Sequence, residues 1–267
     1  MNKIIYLFIA AIYFIAGEVH SQTKPVQYKT ILLDGYFNHE MTKDSNGYII
    51  QTHYLWNETT NGGFSFLGNI FNSSGIKTAL LTEPVTAEKL KQVDIYFIVD
   101  PDCPKENPVP NYIMPEQANA IYNWVQAGGV LMLFSNDSGN VEFSHLNQLA
   151  EKFGIHFNEH HTRNKVKDDN FITGTINIPK GNKIFISAKN IFIKDICTLD
   201  LKQPAEAVLT DNGENIIAIS KIGKGVVFAI GDPWLYNEYL DGKKLPKEIE
   251  NHKAAEDLVT WLLKQIK

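Results

Sequence analysis

Residues 94–100, DIYFIVD, have the pattern of a central strand. Five consecutive apolar residues stand between two aspartates, a run that is long enough for a strand and too short for a core helix. No polar residue alternates with them, so both faces of the strand are expected to be buried, as in a parallel sheet covered by helices on each side. The stretch 130–135, VLMLFS, has the same character. We therefore predict two central strands of an α/β protein.

The neighbouring segments alternate between strand and helix patterns. Two more stretches are typical of strands, namely KTILLD (29–34) and IKTALL (76–81). Four are typical of helices that begin at a capping residue or end at a glycine, namely GFSFLGNIFNSSG (63–75), TAEKLKQV (86–93), MPEQANAIYNWVQAGG (114–129) and FSHLNQLAEKFG (143–154). This alternation is what a mostly parallel sheet with crossover helices requires.

The pattern changes in the second half of the chain. Residues 171–230 carry short strands joined by Gly, Asn and Lys turns, which predicts an antiparallel β extension of the sheet. Within it, GVVFAIGD (225–232) is expected to return to the main sheet, and NHKAAEDLVTWLLKQI (251–266) follows as an amphipathic helix. We predict one domain over residues 22–267, because no linker or repeat interrupts it.

Residues 1–21 have the pattern of a signal peptide. An apolar run follows a basic residue, and Val19 and Ser21 suit a signal-peptidase site, so a mature protein starting near Gln22 is expected to be periplasmic or secreted. The run is short for a bilayer and no second one follows, so no membrane span is expected after cleavage. In an oxidising compartment Cys103 and Cys197 form either one disulfide or two free thiols.

Charge and motifs exclude several function classes. The net charge is −5 and the pI is about 5.9, which disfavours a nucleic-acid partner or an anionic membrane surface. The sequence contains no G-x-S-x-G, C-x-x-C or H-E-x-x-H motif, and its carboxylates do not have the spacing of an EF-hand loop. We therefore assign neither a cofactor nor a metal.

Polar loops follow four of the predicted strands, at 34–40, 100–106, 136–145 and 232–242. In open parallel sheets, ligands bind beyond the carboxyl ends of the strands. Aspartates and asparagines at such positions also cap turns, so each one alone is ambiguous. The residues expected to share this edge are Asp34, Asp100, Asn136, Asp137 and Asp232. The last loop adds groups suited to sugar rings, namely Trp234, Tyr236, Asn237, Glu238 and Tyr239.

Arg163 is the only arginine in the sequence, and it stands beside His160 and His161. A guanidinium binds a carboxylate or sulfate through two parallel hydrogen bonds, which a lysine cannot do. This favours an acidic sugar as the ligand, with a surface salt bridge as the alternative. His53 and His145 lie in or beside the edge loops, where an imidazole either transfers protons near neutral pH or has a structural role.

Four longer phrases carry a family resemblance. They are ILLDGYFNHE (31–40), YFIVDPD (96–102), the stretch from WVQAGG to FNE (124–159) and GKGVVFAIGDPWLYNEYLDGKKLP (223–246). These phrases resemble an amidotransferase-like domain that occurs alone or attached to unsaturated uronyl hydrolases of glycoside hydrolase family 105 in Bacteroidota. The resemblance covers residues 29–263. It implies a flavodoxin-like, doubly wound sheet of the class I glutamine amidotransferase type, without the catalytic cysteine of that class.

Within this group the chain most resembles the oligosaccharide dehydratases of ulvan degradation. That resemblance implies a carbon–oxygen lyase, which removes water from the non-reducing-end uronic acid of an acidic oligosaccharide. The 4,5-unsaturated product would then be the substrate of a family 105 hydrolase. The resemblance carries over no catalytic residue.

Elimination of water from a uronic acid needs a base for the proton alpha to the carboxylate, a cation beside that carboxylate and an acid for the leaving hydroxyl. We expect Arg163 to bind the substrate carboxylate. The base is assigned to His53 or His145, and the acid to Tyr236 or another histidine. The expected substrate-binding residues are Asp100, Asn136, Asp137, His160, Trp234, Asn237 and Glu238.

Two other functions fit the same loops. A non-catalytic carbohydrate-binding module would deliver oligosaccharides to the hydrolase and would depend mainly on Trp234. A glycoside hydrolase would use two edge carboxylates, for which Glu142 and Glu238 are the candidates.

Overall fold

The computed structural model describes residues 28–163 and 171–267, and at Arg163 it describes the backbone alone. The predicted signal peptide, residues 1–21, and the expected mature start at Gln22 lie outside the described residues. Helices in the described ranges are α1 (Ser65–Ser73), α2 (Pro115–Ala127), α3 (Phe143–Ala150), α4 (Asn237–Leu240) and α5 (Asn251–Leu263).

Thirteen strands lie in the described ranges. The first seven are β1 (Lys29–Asp34), β2 (Met41–Lys43), β3 (Ile49–Gln51), β4 (Ile76–Leu81), β5 (Ile95–Val99), β6 (Val130–Phe134) and β7 (Ile155–Arg163). The others are β8 (Thr175–Asn177), β9 (Asn190–Phe192), β10 (Ile196–Leu201), β11 (Ala205–Asp211), β12 (Glu214–Ile222) and β13 (Gly225–Ile230).

Nine of these strands form one mixed sheet. Its order is β4-β1-β5-β6-β13-β12-β10-β7, and β11 pairs with β12 outside this row. The five strands from β4 to β13 are mutually parallel, whereas β12, β11, β10 and β7 join through antiparallel pairs. The predicted α/β class, with a parallel sheet and an antiparallel extension, is therefore confirmed at this level. The strand 225–230 returns to the parallel part beside β6, as its sequence predicts.

The strands of the parallel part bury both faces. Leu32, Tyr96 and Leu131 pack into one core with α2 and α3, whereas Ile31 and Phe97 pack into another core with α1 and α5. Successive residues of a strand point to opposite faces, so uninterrupted apolar runs are needed where helices cover both sides. This packing brings the carboxyl ends of β1, β5, β6 and β13 to one edge.

Two details of the sequence prediction are wrong. Residues 87–92 form turns where TAEKLKQV predicts a helix, and Leu90 is the one buried residue of the segment 86–93, so a helix would have little core to pack on. The antiparallel part also begins earlier than residue 171, because β7 already pairs with β10. β7 lies at the edge of the sheet. Ile155 and Phe157 are buried in its first half, but residues 159–161 are all exposed, so the apolar alternation of a strand ends halfway along it.

The described part of the chain has no helix that is both long and apolar enough to cross a bilayer. Cys103 and Cys197 are both buried as free thiols, so of the two alternatives the structure contains the unpaired one.

Candidate functional site at the carboxyl edge of the sheet

A pocket of about 390 Å³ opens at the edge where the parallel strands end. The loops after β5, β6 and β13 each contribute to it, as the strand order requires. Two further segments complete it: the turn after the β2–β3 hairpin and the loop between β9 and β10. The lining residues on which the chemistry depends are His53, Glu106, Asp137, Lys194, Asp232 and Tyr236.

Backbone strain is concentrated at this pocket. Of the five non-glycine residues with positive φ in the described ranges, His53, Tyr54, Asp100 and Asp195 line or adjoin it, with φ between 47° and 75°. Left-handed backbone is unfavourable for residues with a Cβ atom and is retained mainly where the surrounding structure requires it. Its concentration here is typical of a functional site.

His53 pairs with Glu40 across the base of the β2–β3 hairpin. Its Nδ1 lies 2.5 Å from Glu40 Oε1, and its ring stacks on Tyr54 at 3.9 Å between centroids. A Cβ atom at Gly62 would come within 2.8 Å of the His53 ring, so a glycine there leaves space for the imidazole. Burial lowers the pKa of His53, but the hydrogen bond and charge of Glu40 outweigh it and raise the pKa above 6.5. His53 is therefore well suited to donate a proton near neutral pH.

Asp100 directly follows β5 and lies beneath the pocket. Its Oδ2 accepts a hydrogen bond from Asn136 Nδ2 at 3.0 Å, whereas its buried Oδ1 has no partner among the described residues. Burial, and then the charge of Glu106, raise the pKa of Asp100 well above 3.8. Burial therefore favours the protonated form of this carboxyl, which can donate a hydrogen bond.

Glu106 lies on the same loop and lines the pocket directly. Burial raises the pKa of its carboxyl to about 7, with smaller contributions from the charges of Glu40 and Asp102, against hydrogen bonds from Cys103 that lower it. A carboxyl group that titrates near neutral pH can act as acid or base under physiological conditions.

Carboxyl groups outnumber basic side chains in the pocket lining. Burial raises the pKa of Asp232 well above 3.8, although a hydrogen bond from the Trp234 backbone opposes the shift. Lys194 and His53 are the basic side chains of the lining. Burial, and then the charge of Asp232, raise the pKa of Tyr236 well above 10, so its phenol is a hydrogen-bond donor and a poor proton donor.

The structure brings many of the predicted residues together. His53, Asn136, Asp137, Tyr236 and Glu238 all line the pocket, and Asp100 bonds to one of them. Glu238 is less available than the sequence indicates, because its Oε2 pairs with Lys244 Nζ at 2.7 Å.

Trp234 and Asn237, predicted to position the sugar ring, have structural roles instead. Trp234 has 0% exposed surface and packs edge-on against Phe185, so a sugar cannot reach its indole. Asn237 is 3% exposed, and its side chain bonds to the backbone of Glu58, Thr60 and Phe66. The loop after β13 turns inwards at both positions, which the composition of the segment does not reveal.

His145 and Glu142 lie outside the pocket lining. Glu142 caps α3 by accepting hydrogen bonds from the backbone of Ser144 and His145, and its Oε2 lies 3.0 Å from His145 Nδ1. The imidazole of His145 stacks on Tyr112. His145 is therefore not positioned beside His53 as a catalytic group. Glu142 acts as the N-cap of α3.

His160 belongs to another part of the surface, a shallow groove along β7 shared with His156 and Asp200. Its side chain is 87% exposed. The side chain of Arg163 lies outside the described residues, although its backbone pairs with Ile196, which is adjacent to the pocket residue Asp195.

Glu106, Lys194, Asp195 and Glu40 are pocket residues or partners that the sequence prediction did not select. Glu106 ends one of the predicted edge loops, so strand direction gives a signal for it. Lys194 and Asp195 lie in the antiparallel extension. Glu40 and His53 come together only because the β2–β3 hairpin brings its two ends close to each other.

In the described ranges, no group of three or more His, Cys, Asp or Glu side chains could hold a metal ion.

No family model matches the chain, and no curated protein matches it either.

Several solved structures share the fold. The mmIFT52 N-terminal domain has a TM-score of 0.66 at 20% identity, over 88% of this chain and 97% of that one. The cytoplasmic protein STM1381 from Salmonella typhimurium LT2 has a TM-score of 0.58 at 17% identity, over 90% of this chain and 100% of that one. A putative ThuA-like protein from Bacteroides uniformis has a TM-score of 0.50 at 10% identity, over 90% and 93%. At these identities the likeness establishes the fold alone.

Proposed function

We propose that the carboxyl-edge pocket binds the uronic acid end of an oligosaccharide and eliminates water from it, which makes the protein a carbon–oxygen lyase. The observation that carries this proposal is the set of proton-transfer groups in one cavity. Glu106 has a pKa of about 7, and the pKa of His53 is raised by its neighbour Glu40. Such groups exchange protons at neutral pH, and acid–base elimination requires two of them.

Support for an acidic sugar comes from one cation, in a lining where carboxyl groups outnumber cationic side chains. Lys194 lines the pocket and approaches Asp232, a carboxyl group whose pKa is raised by burial. A uronate carboxylate placed beside Lys194 would be stabilised, and its alpha proton would become more acidic. In this proposal Lys194 takes the role that the sequence assigns to Arg163. Asn136, Asp137 and Tyr236 would bind the sugar hydroxyls, because polar groups placed around a small cavity fix the orientation of a ligand.

The sequence resemblance supplies the wider setting of this proposal. We propose a flavodoxin-like, doubly wound core of the class I glutamine amidotransferase type, and a periplasmic or secreted location. The unsaturated product would be consumed by a family 105 hydrolase, so the two enzymes would act in succession on ulvan-type oligosaccharides.

The competing functions have weaker support from the geometry. A binding module that depends on Trp234 is disfavoured because the indole is buried. A hydrolase that uses Glu142 and Glu238 is disfavoured because Glu142 caps α3 and Glu238 pairs with Lys244.

The direct test is to mix the purified protein with saturated uronate-ended oligosaccharides. Elimination is expected to give the ultraviolet absorbance of a conjugated unsaturated uronate and a product lighter by one water in mass spectrometry. Chain cleavage would replace the proposal with a hydrolase, and binding without any product would replace it with a delivery module.

A further inference from the structure

Four carboxylates around the pocket are already engaged by other groups. Glu40 Oε1 pairs with His53, and Glu238 Oε2 pairs with Lys244. Asp137 Oδ1 accepts from Asn140, and Asp232 Oδ1 accepts from the backbone of Trp234. Each of these contacts occupies one oxygen of its carboxylate.

Glu106 differs from these four. Its Oε2 accepts a long hydrogen bond, 3.4 Å, from the Cys103 backbone, and the Cys103 thiol also hydrogen-bonds to its carboxyl group. The carboxylate lines the cavity with His53, and the two are close enough for the charge of Glu106 to act on the imidazole. Its hydrogen bonds among the described residues come from Cys103, and the carboxyl lines the cavity, where a ligand can reach it.

The loop that carries Glu106 is held rigidly. Cys103 O accepts the backbone N–H groups of both Glu106 and Asn107 at 3.0 Å. Asp102 Oδ2 accepts from the Asn107 side chain at 2.8 Å and from the His39 backbone at 2.9 Å. A group held in place before the substrate binds needs little reorganisation to react, so this anchoring favours a catalytic role.

We propose that Glu106 is the base that removes the C5 proton of the bound uronate. This inference rests on the function proposed above and adds to it a residue and a direction of proton transfer. Glu106 carboxylate takes the proton from C5, and the electron pair of that bond forms the C4–C5 double bond. The C4–O bond breaks, and the leaving hydroxyl takes a proton from the His53 imidazolium and departs as water. Solvent then restores the proton of His53 and removes that of Glu106.

The electrostatics of the pocket agree with this direction. Because the Glu106 carboxyl has a pKa of about 7, about half of the molecules carry it in the ionised form at neutral pH. Glu40 raises the pKa of His53, so the imidazole keeps its proton in the same range. Both groups are then in the state that elimination requires.

The test compares Glu106→Gln with the wild-type protein in elimination from a saturated uronate-ended oligosaccharide. Glutamine retains the shape but cannot accept a proton, so kcat is expected to fall roughly 10²- to 10⁴-fold. Oligosaccharide affinity, measured by calorimetry, should be retained. Glu106→Asp, which keeps a base on a shorter side chain, should be intermediate, and Glu151→Gln, an exposed glutamate paired with His156, should match the wild type.

The pH profile gives a second readout. In the wild type, kcat/KM should rise with pH through about 7 as Glu106 ionises, and fall again when His53 loses its proton. Asp102→Asn removes a charge that raises the Glu106 pKa, so it should move only the low-pH limb, towards lower pH. A fully active Glu106→Gln protein, or an unmoved low-pH limb, would overturn the assignment of Glu106 and leave the lyase function standing. No elimination by the wild-type protein would overturn both.

Discussion

Replacing Asn237 by alanine should destabilise the protein without altering any direct ligand contact. The Asn237 amide donates to the carbonyls of Glu58 and Thr60 at 2.9 and 2.8 Å, and its oxygen accepts from the Phe66 backbone at 3.0 Å. Each buried neutral hydrogen bond contributes about 1 kcal/mol, and partners left unsatisfied add to the loss. We expect the free energy of unfolding to fall by about 3 kcal/mol, with a range of roughly 2 to 4.

Urea denaturation followed by circular dichroism measures this loss directly. In a protein of this size, about 3 kcal/mol corresponds to a decrease in Tm of roughly 6 to 12 °C. Asn237→Asp should lose at least as much, because a carboxylate cannot donate to the two carbonyls. Asn69→Ala is the matched control, since Asn69 is exposed on α1.

A different outcome would contradict this structural role of Asn237. If Asn237→Ala unfolds at the wild-type urea concentration but loses affinity for the oligosaccharide, Asn237 contacts the ligand. The sequence prediction would then be right, and the structural role deduced from the hydrogen bonds would be wrong.

Three further predictions concern other residues. Trp234→Phe should reduce stability by about 1–2 kcal/mol and leave oligosaccharide affinity unchanged in calorimetry, because the indole is buried; a loss of affinity alone would contradict this. Relative to the wild-type values, Gly62→Ala should reduce kcat/KM by a larger fraction than the urea midpoint, since its methyl group would displace the His53 ring. Activity equal to that of the wild type would show that this space is not needed. Burial raises the pKa of Asp34 from 3.8 to about 6, against hydrogen bonds from Tyr96 and the backbone, so the folded state binds this proton more tightly than the unfolded state. As the pH rises from about 4 to about 6, the free energy of unfolding should therefore fall by on the order of 3 kcal/mol. Asp34→Asn should remove that slope in urea titrations at several pH values.

The parallel core could be predicted because its physical requirement is local. β5 and β6 are buried on both faces, and that burial appears in the sequence as apolar runs without alternation. Strand direction then predicts that Asp100, Asn136 and Asp137 gather at one edge, which the structure confirms.

The inward turn after β13 could not be predicted in the same way. Trp234 is buried against Phe185, a residue of the antiparallel extension that is distant in sequence. An aromatic residue in a polar loop has the same appearance in a sequence whether it faces a ligand or the core. The pairing of His53 with Glu40 is also tertiary, since it depends on the hairpin bringing together residues from its two ends.

The antiparallel extension has a consequence for ligand recognition. The acid–base groups His53 and Glu106 come from the loops of the parallel half, whereas Lys194 comes from the segment between β9 and β10. In the proposed reaction, proton transfer and charge recognition would thus be supplied by different parts of the fold. If Lys194 contacts the substrate carboxylate, replacing it should weaken binding of acidic sugars while the pKa values of His53 and Glu106 stay nearly unchanged, because Lys194 is not among the main causes of either shift. The extension would then determine which sugar binds, and the parallel core would supply the groups that carry out the reaction.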